Sequence, residues 1–270
     1  MHIHILSSID EVSELKQQYF RETTAPLDGM WLCGFVPMAT HYGIYDQQRL
    51  VGFYCVNDEG YVLQFFVIKD VQEQSSQIFT SIFNTDSASP GHAIGAFVST
   101  AEPTYLSLCL DHFTSFKVNA LMYQQDQTPI NQRSQDTLSL TPIELQQLQE
   151  AVEFAVAAIG APSEWLSGYF TNLISRQELF GVWSEGRLIA TGESRGYDEY
   201  QVGYADLGVI VTESERGKGL ATNVIRQLVA MNDANALKSI CSTESSNVAA
   251  QTAITRAGFF AGNRILQFHG

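Results

Sequence analysis

The chain has 270 residues, of which 45% are hydrophobic and 16% are charged, and its formal net charge is -14 at pH 7. This balance is typical of a packed globular protein and argues against extended disorder, and the length suggests two compact domains or one large one. The acidic charge disfavours binding to a nucleic-acid backbone, because such binding depends on Lys and Arg displacing counterions. We therefore expect no nucleic-acid partner.

The first residues, Met1–Leu6, alternate like an edge strand and lack the basic start and long apolar run of a signal peptide. No apolar run in the chain is long enough to span a bilayer. The cysteines Cys33, Cys55, Cys109 and Cys241 form no C-x-x-C pair and no zinc-ligand spacing. These features predict a cytoplasmic protein with reduced thiols, no metal and no membrane partner.

Two parts of the chain resemble each other. YGIYDQQRLVGFY, which begins at Tyr42, aligns without a gap with FGVWSEGRLIATG, which begins at Phe180, at an offset of 138 residues (180 - 42). Both segments are typical of a strand, a tight turn and a second strand. Further on, an apolar strand ending at Ile68 matches one ending at Val211, at an offset of 143 residues (211 - 68). Matches in the same order along the chain predict two copies of one fold.

Residues 124–137 read QQDQTPINQRSQDT, a polar run typical of a connector between folded parts. After it, Thr141 and Glu144 form a capping box with Pro142 at the first helical position, which predicts a helix from there to about Gly160. The sequence therefore predicts a first domain over 1–125, a linker over 126–140 and a second domain over 141–270.

The second half begins with two predicted helices. The predicted elements that follow are strands 180–184, 187–194 and 202–211, helix 216–231, strand 238–242, helix 247–257 and strand 259–268. Strands and helices in this order are typical of an α+β fold with a mixed sheet.

A glycine-rich turn follows the predicted strand that ends at Val211. It reads Arg216-Gly217-Lys218-Gly219-Leu220-Ala221 and opens an amphipathic helix. The two glycines let a ligand approach the backbone closely, and the N–H groups and dipole of the helix start attract an anion. The turn is not a nucleotide P-loop, because glycine follows Lys218, and a G-x-G-x-x-G motif is incomplete because its last position is Thr222. A plain strand-to-helix turn is the alternative, but the flanking Arg and Lys favour a pyrophosphate site.

The pattern R-x-x-G-x-A, here Arg216, Gly219 and Ala221, resembles the signature with which the GNAT superfamily of acyl-CoA N-acyltransferases binds the pyrophosphate of coenzyme A. Residues 247–259, an Asn-led helix that ends in Gly-Phe, resemble the later motif of the same family at the correct spacing. The resemblance covers about residues 141–268. With the repeat, it implies an α+β fold of tandem GNAT-like copies, each a mixed, mostly antiparallel twisted sheet flanked by helices.

The resemblance also implies acetyl-CoA as cosubstrate and assigns a binding site for it. In that site the backbone near Val209 and Val211 pairs with the pantetheine arm, and Asn247 hydrogen-bonds to the same arm. The full set of implied CoA-binding residues is Val209, Ile210, Val211, Arg216, Gly217, Lys218, Gly219, Leu220, Ala221, Thr222 and Asn247.

In the implied reaction a free amine attacks the thioester carbonyl, and a backbone N–H near Val209 stabilises the oxyanion. Asp206 and Glu193 are the candidate bases for the ammonium proton, and the choice stays open because alternation places only half of a strand's residues on the site face. The family tyrosine that protonates the leaving thiolate is replaced by Ile254. Tyr204, Ser242 or water would then be the proton donor.

The first half lacks the glycine turn. The 143-residue offset carries Arg216, Gly217 and Gly219 back to Glu73, Gln74 and Ser76. A carboxylate there repels pyrophosphate and the side chains block its approach, so we expect a degenerate copy kept for architecture or for shaping the acceptor site.

The leading hypothesis is an N-acetyltransferase that acts on an amine of a small molecule or a peptide. The alternative is a non-catalytic regulatory protein that binds CoA. A third possibility is an interaction module without a ligand, which requires the glycine turn to be accidental.

Overall fold

A computed structural model describes residues 1–84, 91–125, 138–196 and 200–269. The predicted connector between the halves falls mostly on 126–137, outside the described residues. Backbone contacts divide the chain into unit 1, residues 1–122 and 263–270, and unit 2, residues 123–262. Residues 263–269 thus belong to unit 1, whereas the sequence predicts them in the second domain.

Both halves contain helices and strands in a mixed order. In chain order they are β1 (His2–Ile5), α1 (Ser13–Glu22), α2 (Val36–Met38), β2 (Thr40–Asp46), β3 (Arg49–Val56), β4 (Tyr61–Val67), α3 (Ser75–Asn84), β5 (Gly95–Ser99), α4 (Pro103–His112), β6 (Phe116–Gln125), β7 (Thr141–Pro142), α5 (Leu148–Ile159), α6 (Ser163–Ser175), β8 (Leu179–Ser184), β9 (Arg187–Gly196), β10 (Tyr204–Val211), α7 (Leu220–Ala234), β11 (Lys238–Glu244), α8 (Val248–Arg256) and β12 (Phe259–His269). The described residues form no helix that is long and apolar enough to cross a membrane.

In unit 1 the strand order is β1-β2-β3-β4-β5-β12-β6. Strands β1 to β4 pair antiparallel with their neighbours. Strands β4 and β5 are parallel and pair only at their first residues, Tyr61 with Gly95 and Val62 with Ala96. The last residues of β12 pair antiparallel with β5, from Ile265 to the end of the strand, and this pairing places them in unit 1.

In unit 2 the strand order is β11-β10-β9-β8-β7. Strands β7 to β10 form an antiparallel series, and β10 and β11 are parallel. Helix α6 buries Leu166, Phe170 and Leu173, which recur at helical spacing and pack against Ala151 and Ala155 of α5. This apolar cluster fixes the two helices that precede the sheet.

The strand registers confirm two copies of one fold. The β2–β3 hairpin has a bulge between Ile44 and Tyr45, and the β8–β9 hairpin has one between Val182 and Trp183, at the predicted offset of 138 (182 - 44). The parallel pairs Tyr61–Gly95 and Tyr204–Lys238 differ by 143 in both strands (204 - 61 and 238 - 95). Bulges and register are backbone features that chance resemblance between short segments would not reproduce.

The predicted helix start at Thr141 is wrong. Thr141 and Pro142 form a short edge strand that pairs with Gly181 and Phe180 of β8. The capping box instead joins Glu144 to Gln147, and a 3₁₀ turn there leads into α5. Pairing to the sheet edge outweighs the local helix signal, and proline is tolerated at an edge because it has no N–H to donate. The predicted helix end is confirmed, since Gly160 caps α5 in the left-handed conformation.

Candidate functional site

The glycine turn of unit 2 lies between a 3₁₀ segment, Glu213–Glu215, and helix α7. Gly217 has φ +77° and Gly219 has φ +85°, and a Cβ added at either glycine would have no atom within 4 Å. Both residues are therefore in the left-handed region that favours glycine, beside open space. Leu220 and Ala221 begin α7, where the first N–H groups of a helix have no partner within the helix. The turn forms an open cradle with an electropositive end.

The two basic side chains of the turn have different contacts. The guanidinium of Arg216 donates to the carbonyl of Val211 at 3.1 Å and to that of Ala158 at 2.7 Å, so it ties the turn to β10 and to the end of α5. The Lys218 ammonium lies 3.0 Å from the carboxylate of Glu215 on the exposed surface. Arg216 thus shapes the turn through its side chain, and Lys218 supplies a solvated positive charge.

A gap between two parallel strands leads away from this turn. Strand β10 pairs with β11 only from Tyr204 to Asp206, the last pair being Asp206 with Ile240. From Leu207 to Val211 the strand pairs on its other edge with β9 alone. The edge that faces β11 is therefore open along the predicted pantetheine-binding residues, including Ile210, whose side chain packs on the core of α5 and α6.

The second GNAT-like motif, residues 247–259, contacts the helix that follows the glycine turn. The Asn247 side chain accepts from the N–H of Ala250 at 3.1 Å and caps α8. The buried Thr222 hydroxyl donates to the carbonyl of Ala253 at 3.2 Å and joins α7 to α8. Ile254, at the position of the family tyrosine, is buried with 5% of its surface exposed. In this chain that position is part of the core.

The predicted bases Glu193 and Asp206 lie in one buried cluster, 5% and 1% exposed. Arg195 joins them: its guanidinium is 3.1 Å from Glu193 Oε2 and forms a second, short ion pair with Asp206 Oδ2. The Tyr169 hydroxyl donates to Glu193 Oε2 at 2.7 Å and accepts from Arg195 at 2.7 Å. Its ring stacks on that of Trp165 with centroids 4.9 Å apart.

The charges in this cluster are fixed by their surroundings. Burial lowers the pKa of Arg195, but the carboxylates of Asp206 and Glu193 raise it by more, and the guanidinium stays charged. Burial, and then the negative charge of Glu193, raise the pKa of Tyr169, so its hydroxyl keeps its proton. The ring of Trp165 extends the cluster to the surface, because 41% of this residue is exposed.

Glu193 lies closest to the open part of β10. It pairs with Gly208, and a Cβ added at Gly208 would approach its carboxylate oxygen to 2.8 Å. Only glycine at 208 leaves that space to the carboxylate. Both hydrogen bonds that Glu193 accepts end on Oε2, so Oε1 has no protein partner among the described residues.

The third predicted catalytic residue, Tyr204, lies in the paired part of β10, opposite Lys238 of β11. It is half-buried, and the Lys238 ammonium is 5.9 Å from the centre of its ring. Sequence reasoning missed Arg195 and Tyr169. The alternation of Glu193 and Arg195 along one strand face was a usable signal. For Tyr169, on a distant helix, the sequence carries no such signal.

The cradle fits the phosphate end of an acyl-CoA, because its two left-handed glycines face open space and side chains there would fill it. Among the described residues, no group of three or more His, Cys, Asp or Glu side chains is placed to hold a metal ion.

Comparisons with known proteins agree with this geometry. Residues 8–126 match the model of a GNAT acetyltransferase domain, and residues 145–259 match that of the acetyltransferase (GNAT) family. A solved structure, an acetyltransferase of the GNAT family from Colwellia psychrerythraea, is 48% identical, with 100% of this chain and 99% of that chain covered and a TM-score of 0.94.

Two more distant structures share the fold. A tandem GNAT protein from the clavulanic acid biosynthesis pathway is 12% identical over 100% of this chain and 98% of that chain, with a TM-score of 0.61. A GCN5-related N-acetyltransferase from Sphaerobacter thermophilus is 13% identical over 84% of this chain and 79% of that chain, with a TM-score of 0.55. A search of curated proteins gave no significant match. Two matching family models and a 48% identical structure show that the chain is an acetyltransferase of the GNAT family.

Proposed function

We propose that the protein transfers an acetyl group from acetyl-CoA to an amine of a small molecule or a peptide, at a single site in unit 2. The observation that carries this proposal is the cradle of Gly217 and Gly219, next to the open edge of β10. When bound, acetyl-CoA supplies the activated thioester. The residues of the chain bind its phosphates, align its pantetheine arm and accept the proton of the incoming amine.

In this proposal the N–H groups at the start of α7 contact the pyrophosphate, and the backbone of Val209 and Val211 pairs with the pantetheine amides. This places the thioester near Gly208, under the carboxylate of Glu193. A backbone N–H in the same stretch then stabilises the negative charge that develops on the carbonyl oxygen.

We assign the proton acceptor to Oε1 of Glu193, since Oε2 is held by Tyr169 and Arg195. Asp206 then serves as the second anion that fixes Arg195. Tyr204 is the candidate proton donor for the leaving thiolate, because its strand position is two residues before Asp206 and the family tyrosine is absent.

The test is an acetyl-transfer assay that detects the released CoA thiol. The full-length protein is assayed with primary amines and with peptides that have a free N-terminal amine. A saturating ligand at 100 times its Kd stabilises a protein by about 2.7 kcal/mol, so CoA should also raise the melting temperature measurably. Calorimetry should give one CoA per chain. Two equivalent sites would contradict the single-site proposal.

The same assay distinguishes this enzyme from the alternative, a non-catalytic regulatory protein. A regulatory protein would bind CoA and be stabilised by it but release no thiol with any amine. The buried Ile254 is the observation that favours this alternative, because the usual proton donor is missing. Turnover with any amine above the rate of thioester hydrolysis rejects it.

A further inference from the structure

The gap that the proposed function gives to the pantetheine arm begins where β11 leaves β10. The two parallel strands pair at three successive positions, and the last pair is Asp206 with Ile240. Beyond this pair the edge of β10 is open, so the position of the last pair sets where the gap begins and how much of the edge is free. A contact that holds β11 to β10 at this position therefore also shapes the gap.

The side chain of Asn232, near the end of α7, is hydrogen-bonded to both neighbours of β10. Its Oδ1 accepts from the Ser194 hydroxyl of β9 at 2.7 Å, and its Nδ2 donates to the Ser239 hydroxyl of β11 at 3.0 Å. Its main-chain carbonyl also accepts from the N–H of Leu237 at 2.9 Å, in the turn that leads into β11. One residue thus connects α7 to the strand on each side of β10 and to the start of β11.

Asn232 lies on the α7 side of β10, at the level where the pairing with β11 ends. Ser194 of β9 pairs with Leu207 of β10. Ser239 of β11 pairs with Ala205 of β10. Residues that pair across a sheet point to the same face, so the amide spans β10 between Ala205 and Leu207. These two residues flank the β10 member of the last pair.

The packing of α7 does not explain this amide. Val224 and Leu228, which precede Asn232 at intervals of four residues, are apolar and 0% exposed, and their spacing predicts a third apolar residue at 232. Asn232 is 4% exposed, and burial of an amide costs free energy unless its groups are hydrogen-bonded. Because Oδ1 and Nδ2 both have partners, the residue makes two specific bonds where the helix pattern predicts apolar contact.

Unit 1 lacks the hydroxyl that bonds to this amide on β11. The 143-residue offset carries Ser239 to Ala96 (239 - 143), which has only a methyl group. There β4 and β5, all of whose residues are described, pair at two positions and separate after Val62 and Ala96. The third pair of unit 2 would correspond to Leu63 with Phe97 (206 - 143 and 240 - 143). The copy without the hydroxyl therefore separates one position earlier.

We propose that Asn232 is a positioning residue for acetyl-CoA: through Ser239 it holds β11 against β10 as far as Asp206 and so fixes where the gap for the pantetheine arm begins. The inference rests on the proposed function, which places the arm in that gap. Asn232 acts through β11 and is assigned no contact with CoA itself.

The test compares two ligands of the full-length protein by calorimetry. CoA carries the pantetheine arm, and 3′-phospho-ADP is the fragment of CoA that has the pyrophosphate but lacks the arm. The ratio of the two Kd values therefore measures how well the gap holds the arm. In the parent, CoA should bind at least about tenfold more tightly than 3′-phospho-ADP.

Three variants separate the two bonds of the amide. Ser239→Ala removes the bond to β11, and Ser194→Ala, the matched control, removes the bond to β9. Each leaves one polar group of Asn232 unpaired, so both should lower the melting temperature to a similar extent. Only Ser239→Ala should raise the Kd of CoA, about tenfold, with the Kd of 3′-phospho-ADP unchanged within about twofold. Asn232→Leu removes both bonds without leaving an unpaired amide, and it should bind CoA as Ser239→Ala does.

A purely structural role for Asn232 would change the two Kd values together or change neither. Either result in Ser239→Ala and Asn232→Leu overturns the inference and leaves the proposed function intact. Equal weakening of CoA binding in Ser194→Ala and Ser239→Ala also overturns it. A parent protein that binds CoA no more tightly than 3′-phospho-ADP contradicts the proposed place of the arm, and the inference with it.

Discussion

The two units share one backbone plan and differ in what lines the gap between their parallel strands. In unit 2 the gap lies beside the carboxylates of Glu193 and Asp206, with Arg195 between them. The offsets of 138 and 143 residues carry those carboxylates to Cys55 and Leu63 of unit 1 (193 - 138 and 206 - 143), both of which are buried. One fold has thus kept a charged site in one copy and replaced it by core in the other.

The turns differ in the same way. Where unit 2 has two left-handed glycines, unit 1 has a 3₁₀ segment, Lys69–Gln74, that leads directly into α3. A helical segment uses the N–H groups that a glycine turn leaves free. In the proposed function, anion binding depends on the two glycine positions 217 and 219, whereas the strand pairing is kept in unit 1 without such glycines.

The largest expected effect comes from closing the cradle. Gly219→Glu should abolish CoA-induced stabilisation, about 2.7 kcal/mol at 100 times Kd in the parent, and reduce acetyl transfer to background, because the side chain brings bulk and negative charge to the phosphate position. Ser76→Glu at the matched position of unit 1 should change neither. Thermal shift with and without CoA measures both.

Gly219→Ala controls for backbone strain, since any L-residue at φ +85° costs about 1–2 kcal/mol. It should lose stability but retain more CoA affinity than Gly219→Glu. If Gly219→Glu binds CoA as the parent does, the cradle is not the site and the contrast between the two turns loses its meaning.

The next effect concerns the proton acceptor. Glu193→Gln should lower kcat about a hundredfold at neutral pH while CoA binding stays constant, because the removed group acts in the chemical step. The loss of kcat should become smaller as the pH approaches the pKa of the substrate amine, because the amine is then already unprotonated and needs no base. Glu185→Gln, an exposed carboxylate in the same unit, is the control. A uniform loss at every pH would point to a structural role for Glu193.

Removing the second anion tests the charged cluster. Asp206→Asn leaves Arg195 with a single carboxylate and should destabilise the protein by about 3 kcal/mol, as measured by urea unfolding. Turnover should also fall more than CoA affinity, because the displaced guanidinium no longer fixes Glu193. Unchanged stability and turnover would show that Glu193 alone holds Arg195.

The smallest effect is expected at the buried carboxyl of unit 1. The pKa of Glu102 is about 7 in the folded protein, above the ordinary value of 4.5. The folded state therefore holds a proton that the unfolded state has released, and stability falls as the pH rises from about 4.5 to 7. Glu102→Gln should remove this slope and gain on the order of 2 kcal/mol over the parent at pH 8. Unfolding curves at pH 5 and pH 8 that differ equally in both proteins would contradict this.

Most of the fold could be predicted from the sequence, because the repeat, the strand patterns and the glycine turn are local signals. The helix start at Thr141 failed for a tertiary reason: an edge strand gained pairing that local capping rules do not consider. Residues 263–269 lie in unit 1 because the end of β12 pairs with β5, a contact remote in sequence.

For the candidate site, the cradle could be predicted from local sequence, since Gly217, Gly219 and the following helix start lie within a few residues of one another and their chemistry is that of the backbone. The environment of the carboxylates depends on contacts between residues that are far apart in the sequence. Tyr169 comes from helix α6, and Arg195 of β9 reaches Asp206 on the neighbouring strand β10. Their hydrogen bonds fix which oxygen of Glu193 is available. The same holds for Glu102 in unit 1. Nothing in the sequence distinguishes this glutamate, but burial in the folded protein raises its pKa and so determines its charge.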